Sequence, residues 1–116
     1  MGALDPAALE SLQEIVGGDA EFVVELIDTY LQDAPQMLKD IQSLGNVDVE
    51  IPGRAAHSLK SNSTEFGAHT LSALCQELET MCKTGILPGA DELVGRIAAE
   101  YAQVKVELET ARQKLL

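Results

Sequence analysis

Arg54, His57 and Lys60 follow one another at spacings of three, and Ser61 and Thr64 occupy the turn beyond. On a helical wheel at about 100° per residue these five fall on one arc of about 40° to 160°, opposite Ala55, Leu59, Ser63 and Phe66. The stretch therefore reads as a helix with a solvated face and a buried one. The chain has only 8 Lys and Arg and 2 His against 19 Asp and Glu, yet three of those basic residues are stacked on this one stripe. Such a cluster suits a transient dianion: a neutral imidazole nitrogen can attack a phosphoryl group, and a lysine one turn away can screen the charge it brings. Ser61 and Thr64 could donate further hydrogen bonds. From spacing alone, the alternative is an ordinary surface histidine.

The elements that must hold this stripe are helices. Aromatics are 3% of the 116 residues and Trp is absent, so the core must be aliphatic, which favours helices over sheets. Asp5-Pro6 reads as the N-cap and first residue of a short helix that Gly17-Gly18 ends. Asp19 caps a longer one whose apolar stripe is Val23, Ile27, Tyr30, Ala34, Met37 and Ile41, widened by Phe22, Leu26 and Leu38. Pro35 lies inside it, where it cannot donate to the Leu31 carbonyl, and predicts a kink; Gly45-Asn46 is the predicted stop. A third helix begins at Asp48 as cap or at Pro52 as first residue, and runs to about Glu65 before Gly67. The fourth, over about 68–83, turns Leu71, Leu74, Cys75, Leu78 and Cys82 inward and stops at Gly85. After a loop over 84–91, the last helix carries Leu93, Ile97, Tyr101, Val104, Leu108, Ala111 and Leu115 at heptad-like spacing. Four long amphipathic helices joined by short loops predict an all-α fold: an up-and-down antiparallel four-helix bundle with a short additional N-terminal helix, one domain over 1–116.

Charge and composition narrow the partners. A net charge of -11 repels a phosphate backbone, so nucleic acid is excluded as a partner. Apolar runs are far below the roughly 20 residues needed to span a bilayer, no signal peptide is evident, and Pro6 stands where a myristoylation signal on Met1-Gly2 wants Ser or Thr. The expected compartment is cytoplasmic. Cys75 and Cys82 lie seven residues apart on one helix, about 10.5 Å of rise, too far for a disulfide, and are expected to be free core thiols. With the scattered His57 and His69 they do not form a zinc pattern.

The run Ala56-His57-Ser58-Leu59-Lys60-Ser61-Asn62-Ser63, then Phe66-Gly67-Ala68, then Leu71, Cys75, Leu78 and Glu79, resembles the signature of histidine-containing phosphotransfer (HPt) domains. Residues 26–35 resemble that family's second long helix. The resemblance implies a phosphoryl carrier in two-component phosphorelays, with His57 as phosphoacceptor and Lys60 steadying the phosphoryl group. Position 61 would be the small residue that leaves room for a partner; Ser61 stands where Gly is usual, a departure that bears on docking distance. Arg54, Ser61 and Thr64 are the expected docking residues, and His69 an ordinary exposed residue.

The partners so implied are receiver domains of response regulators or hybrid histidine kinases, whose aspartates give and take the phosphoryl group. With no Gly-rich phosphate loop and no evident acidic cluster, the chain is expected to have no cofactor of its own and no autonomous kinase activity; Mg²⁺ belongs to the receiver. It is expected to be a monomer, its last seam closing its own bundle. Two rival readings are an adaptor bundle that works through its last helix and a di-metal bundle enzyme. The second is disfavoured because Glu65 and His69 are four apart, not the three of a Glu-x-x-His pair.

Overall fold

The computed structural model describes residues 2–45 and 48–116, so Met1 and the Asn46 half of the predicted Gly45-Asn46 stop lie outside the described residues. The helices are α1 (Pro6–Ile15), α2 (Ala20–Gln42), α3 (Glu50–Glu65), α4 (His69–Thr84) and α5 (Ala90–Leu115). Asp5 and Asp19 cap the first two as expected, their carboxylates accepting from the Ala7 and Phe22 amides at 3.0 and 3.3 Å. The α2 helix continues through Pro35 as one element of 23 residues. Its exposed flank differs from expectation at Phe22, which is 46% exposed.

The start of α3 falls close to the first alternative: the helix begins at Glu50, two residues before Pro52, with Val49 rather than Asp48 in the cap position. Asp48 stands just outside, its carboxylate accepting from the Glu50 amide at 2.9 Å and its carbonyl from the Ile51 amide at 3.2 Å. Pro52 then sits in the first turn, where a missing N–H has no intrahelical partner to lose.

Helices α2 to α5 form a ring in which each packs on its two neighbours, α3 and α4 most extensively. Ile27, Leu59, Leu71, Leu78, Ile97, Val104 and Leu108 are fully buried in it. Each such side chain contributes about 1.5–3 kcal/mol on leaving water. The seam of α5 is spent here too: Leu93, Ile97, Tyr101, Val104 and Leu108 are buried within their own bundle, so that seam is not a free surface for an adaptor. Tyr30 bridges α2 and α3 through a 2.8 Å hydrogen bond to the buried Ser63 hydroxyl and an edge contact with Phe66.

The short α1 covers the end of the bundle where α3 turns into α4. The Asp5 amide donates to the Gly67 carbonyl at 3.0 Å. Gly67 has φ +71°, and a Cβ there would meet Ala8 Cβ at 2.6 Å, so only glycine fits both the turn and the close approach of α1. Glu107 of α5 holds the segment before α1 by accepting from the Ala3 and Leu4 amides at 2.6 and 3.1 Å. His57 lies in the half of α3 away from this covered end.

Candidate functional site

His57, the eighth residue of α3, projects from it with a side chain 56% exposed, anchored on one edge only. Its Nδ1 lies 2.9 Å from Glu79 Oε2 on α4. Glu79 itself is buried, in phase with Leu71, Cys75, Leu78 and Cys82 on the inward stripe of its helix. A carboxylate cannot stay ionised there without cations, and it has them. Lys60 Nζ donates to Oε1 at 2.6 Å, and Lys83 Nζ, one turn further along α4, approaches Oε2 at 3.3 Å. These bonds, the one from Lys60 foremost and those from His57 and Lys83 after it, outweigh the opposing effect of burial and hold the Glu79 carboxyl at about 2.

An ionised carboxylate can only accept, so the proton of a neutral His57 sits on Nδ1 and its Nε2 keeps a free lone pair. The bond also fixes the plane of the ring. Lys60 departs from the sequence reading in one respect. It was expected on a solvated face, but its side chain is 23% exposed and its ammonium is held by both Glu79 and, at 2.8 Å, Gln76 Oε1. The flank of the α3 stripe is the interface with α4, which a wheel drawn for one helix does not display.

The other expected residues are placed as follows. Arg54 is exposed, 3.7 Å from Glu50 across one turn of α3. Ser61 is exposed, one turn beyond His57. Thr64 is exposed too, but its hydroxyl is used within the fold: it donates to the Lys60 carbonyl at 2.8 Å and lies 3.0 Å from the Ser72 hydroxyl. His69 is the first residue of α4, exposed, with Nε2 3.3 Å from an Asp5 carboxylate oxygen at the α1 end. It is not brought near His57. The thiols of Cys75 and Cys82 are free and buried; burial pushes Cys75 up to about 12 and Cys82 upward as well. Among the described residues, no group of three or more His, Cys, Asp or Glu is placed to hold a metal ion. Among the same described residues, no helix is long and apolar enough to cross a membrane.

Beside His57, on the side away from Lys60, α3 and α4 leave a cleft of about 310 Å³ lined by Val49, Gly53, Arg54, Cys82 and Lys83, with Glu79 also in its wall. Gly53 permits it to be this narrow at its base, since a Cβ there would stand 3.0 Å from Cys82 Cβ.

Comparison with known proteins converges on one family. The Hpt domain model matches residues 25–112, from α2 to near the end of α5. Histidine-containing phosphotransfer protein 2 of Arabidopsis thaliana is 25% identical over 105 residues, 87% of this chain and 66% of its own length. This chain thus spans just under two thirds of that relative. The crystal structure of histidine-containing phosphotransfer protein B (HptB) from Pseudomonas aeruginosa PAO1 superposes with a TM-score of 0.86 at 31% identity, covering 96% of this chain and 95% of that one. The matched region contains both His57 and Glu79, and the chain belongs to the Hpt domain family.

Proposed function

We propose that this chain is a phosphoryl carrier of phosphorelays, accepting a phosphoryl group on His57 Nε2 from the aspartyl phosphate of one receiver domain and passing it to the aspartate of another. The observation that carries the reading is the 2.9 Å contact of His57 Nδ1 with a buried carboxylate held ionised. In the forward step the Nε2 lone pair forms the N–P bond while the P–O bond of the acyl phosphate breaks, and the receiver's carboxylate leaves with the electron pair. The ring becomes an N-phosphoryl imidazolium that retains its Nδ1 proton, and Glu79 balances the positive charge that develops there. The reverse step returns the phosphoryl group to a carboxylate, with no net change in protons on the ring.

Lys60, adjoining the same carboxylate, steadies the phosphoryl group electrostatically. Positioning and charge are most of what phosphoryl transfer needs, and the receiver supplies the Mg²⁺. The chain acts as a monomer in the cytoplasm with no kinase activity of its own. Arg54, Ser61 and Thr64 meet the receiver. The test is to incubate the parent protein, His57→Gln and His69→Gln with a phosphorylated receiver and follow acid-labile label. Label is expected on the parent and on His69→Gln and absent from His57→Gln; label retained on His57→Gln refutes the assignment.

A further inference from the structure

Glu79 is contacted by three cationic or cation-forming side chains, and they are not held alike. Lys60 is doubly anchored, on Glu79 and on Gln76, with its side chain 23% exposed. Lys83 has one longer contact, 3.3 Å, and its side chain is 74% exposed. Moving Lys60 off Glu79 would leave the buried carboxylate with only the longer contact of an exposed ammonium, whereas Lys83 can leave while the short Lys60 bond keeps that charge compensated. Lys83 also stands on the same carboxylate oxygen that accepts from His57 Nδ1, and lines the cleft beside the imidazole together with Arg54.

Resting on the reading of His57 as phosphoacceptor, we propose that Lys83 is a second phosphoryl-holding cation: it rests on Glu79 in the unmodified protein and swings to the phosphoryl oxygens once His57 is modified. Lys60 stays and neutralises Glu79. A mobile lysine on a flexible four-carbon stem is suited to this exchange, because its ammonium can trade one oxyanion for another without a fixed fork geometry. The modified ring and Glu79 remain paired through Nδ1, so the departing ammonium follows the added negative charge. No bond is made or broken in this exchange of ion-pair partners.

Because the contact is made only after modification, it must show as a property of the phosphorylated state. The experiment is to phosphorylate the parent protein, Lys83→Ala and Lys83→Arg with phosphoramidate, which needs no receiver, and to titrate the phosphohistidine by ³¹P NMR. Loss of the cation is expected to raise the phosphoryl group's own proton affinity by about two- to fivefold at low salt, the size of an exposed ion pair, with Lys83→Arg restoring it and high salt erasing the difference. The equilibrium between a phosphorylated receiver and phospho-His57 should shift toward the receiver as well, since the cation favours the phosphorylated form of His57. A titration and an equilibrium identical in the parent and Lys83→Ala overturn this proposal alone. If phosphoramidate places no phosphoryl group on His57 in the parent, both this proposal and the functional reading fall.

Discussion

The two histidines of this chain each pair with a carboxylate, and the pairs behave differently because of what else holds the acid. At the α1 end, His69 meets Asp5, whose carboxyl is lowered first by the Ala7 amide it caps and only then by His69. At the other site His57 meets Glu79, lowered first by Lys60 and then by His57 and Lys83. In neither pair is the histidine what chiefly keeps the acid ionised. Asp5 lies in solvent-washed surroundings, so its partner histidine is one contact among many available through water. Glu79 is buried, so its ionisation is fixed by protein groups, and it in turn fixes which nitrogen of His57 is free. A histidine–carboxylate contact is therefore informative about chemistry only together with the burial of the acid and the identity of its cations.

The largest expected difference between the two sites is in access. On the proposed function, His57 needs a partner aspartate within about 3 to 3.5 Å of the transferred group for in-line attack, whereas nothing need approach His69. Ser61 is exposed one turn beyond His57 on the same face of α3. Ser61→Trp is expected to abolish transfer from a phosphorylated receiver while leaving phosphorylation by phosphoramidate intact, and Ser61→Gly to transfer at least as fast as the parent. Receiver-dependent transfer at the parental rate in a folded Ser61→Trp protein would show that docking does not cover this face.

Next in size is the loss of Glu79. Glu79→Gln removes the charge but keeps the shape, leaving Lys60 beside a neutral amide; it is expected to destabilise the fold by on the order of 1–3 kcal/mol at neutral pH. It should also slow phosphoryl uptake, since the developing imidazolium loses its counter-charge. The pH dependence identifies the cause. The Glu79 carboxyl lies at about 2 in the folded chain against 4.5 for an unperturbed one, so the unfolded state binds the proton more readily. Its contribution is complete above about 4.5 and is lost as the pH falls toward 2. Thermal or urea unfolding across that range should show a steeper acid decline for the parent than for Glu79→Gln. Parallel declines would mean that the cations do not hold this carboxylate as the distances indicate.

These residues also mark where sequence reasoning reaches its limit. The helices, the Asp5 and Asp19 caps and the inward seam of α5 follow from periodicity and capping chemistry, which are local and so visible in a single chain. The placement of His57 and Lys60 on one face is local too. The role of Glu79 is not, because the two shorter of its three contacts, to Lys60 and His57, reach 19 and 22 residues back along the chain. A signal was present: Glu79 stands four after Cys75 and three before Cys82, an acid in phase with an apolar stripe, which demands a cation from a facing helix. The same omission explains Lys60, read as solvated because α4 was absent from the wheel. Phe22 was drawn into the α2 stripe by its hydrophobicity, although at the third helical residue its side chain lies toward the bundle's end, where it remains partly exposed.

The smallest expected effects are at Asp5, and their order tests the comparison from the other side. If the Ala7 amide is the main partner of the Asp5 carboxylate, Asp5→Asn keeps an acceptor for that amide and loses only the charge shared with His69. Asp5→Asn and His69→Gln should then leave the midpoint of thermal unfolding nearly where it was, and neither should alter phosphoryl uptake. Asp5→Ala, which removes the cap itself, should lower the midpoint more than either, because an amide at the start of α1 loses its acceptor. This ranking is the reverse of that expected at Glu79, where the cations dominate and an amide replacement is costly. Were Asp5→Asn as damaging as Asp5→Ala, charge rather than capping would hold Asp5 in place, and the contrast between the two histidine–carboxylate pairs would narrow to burial alone.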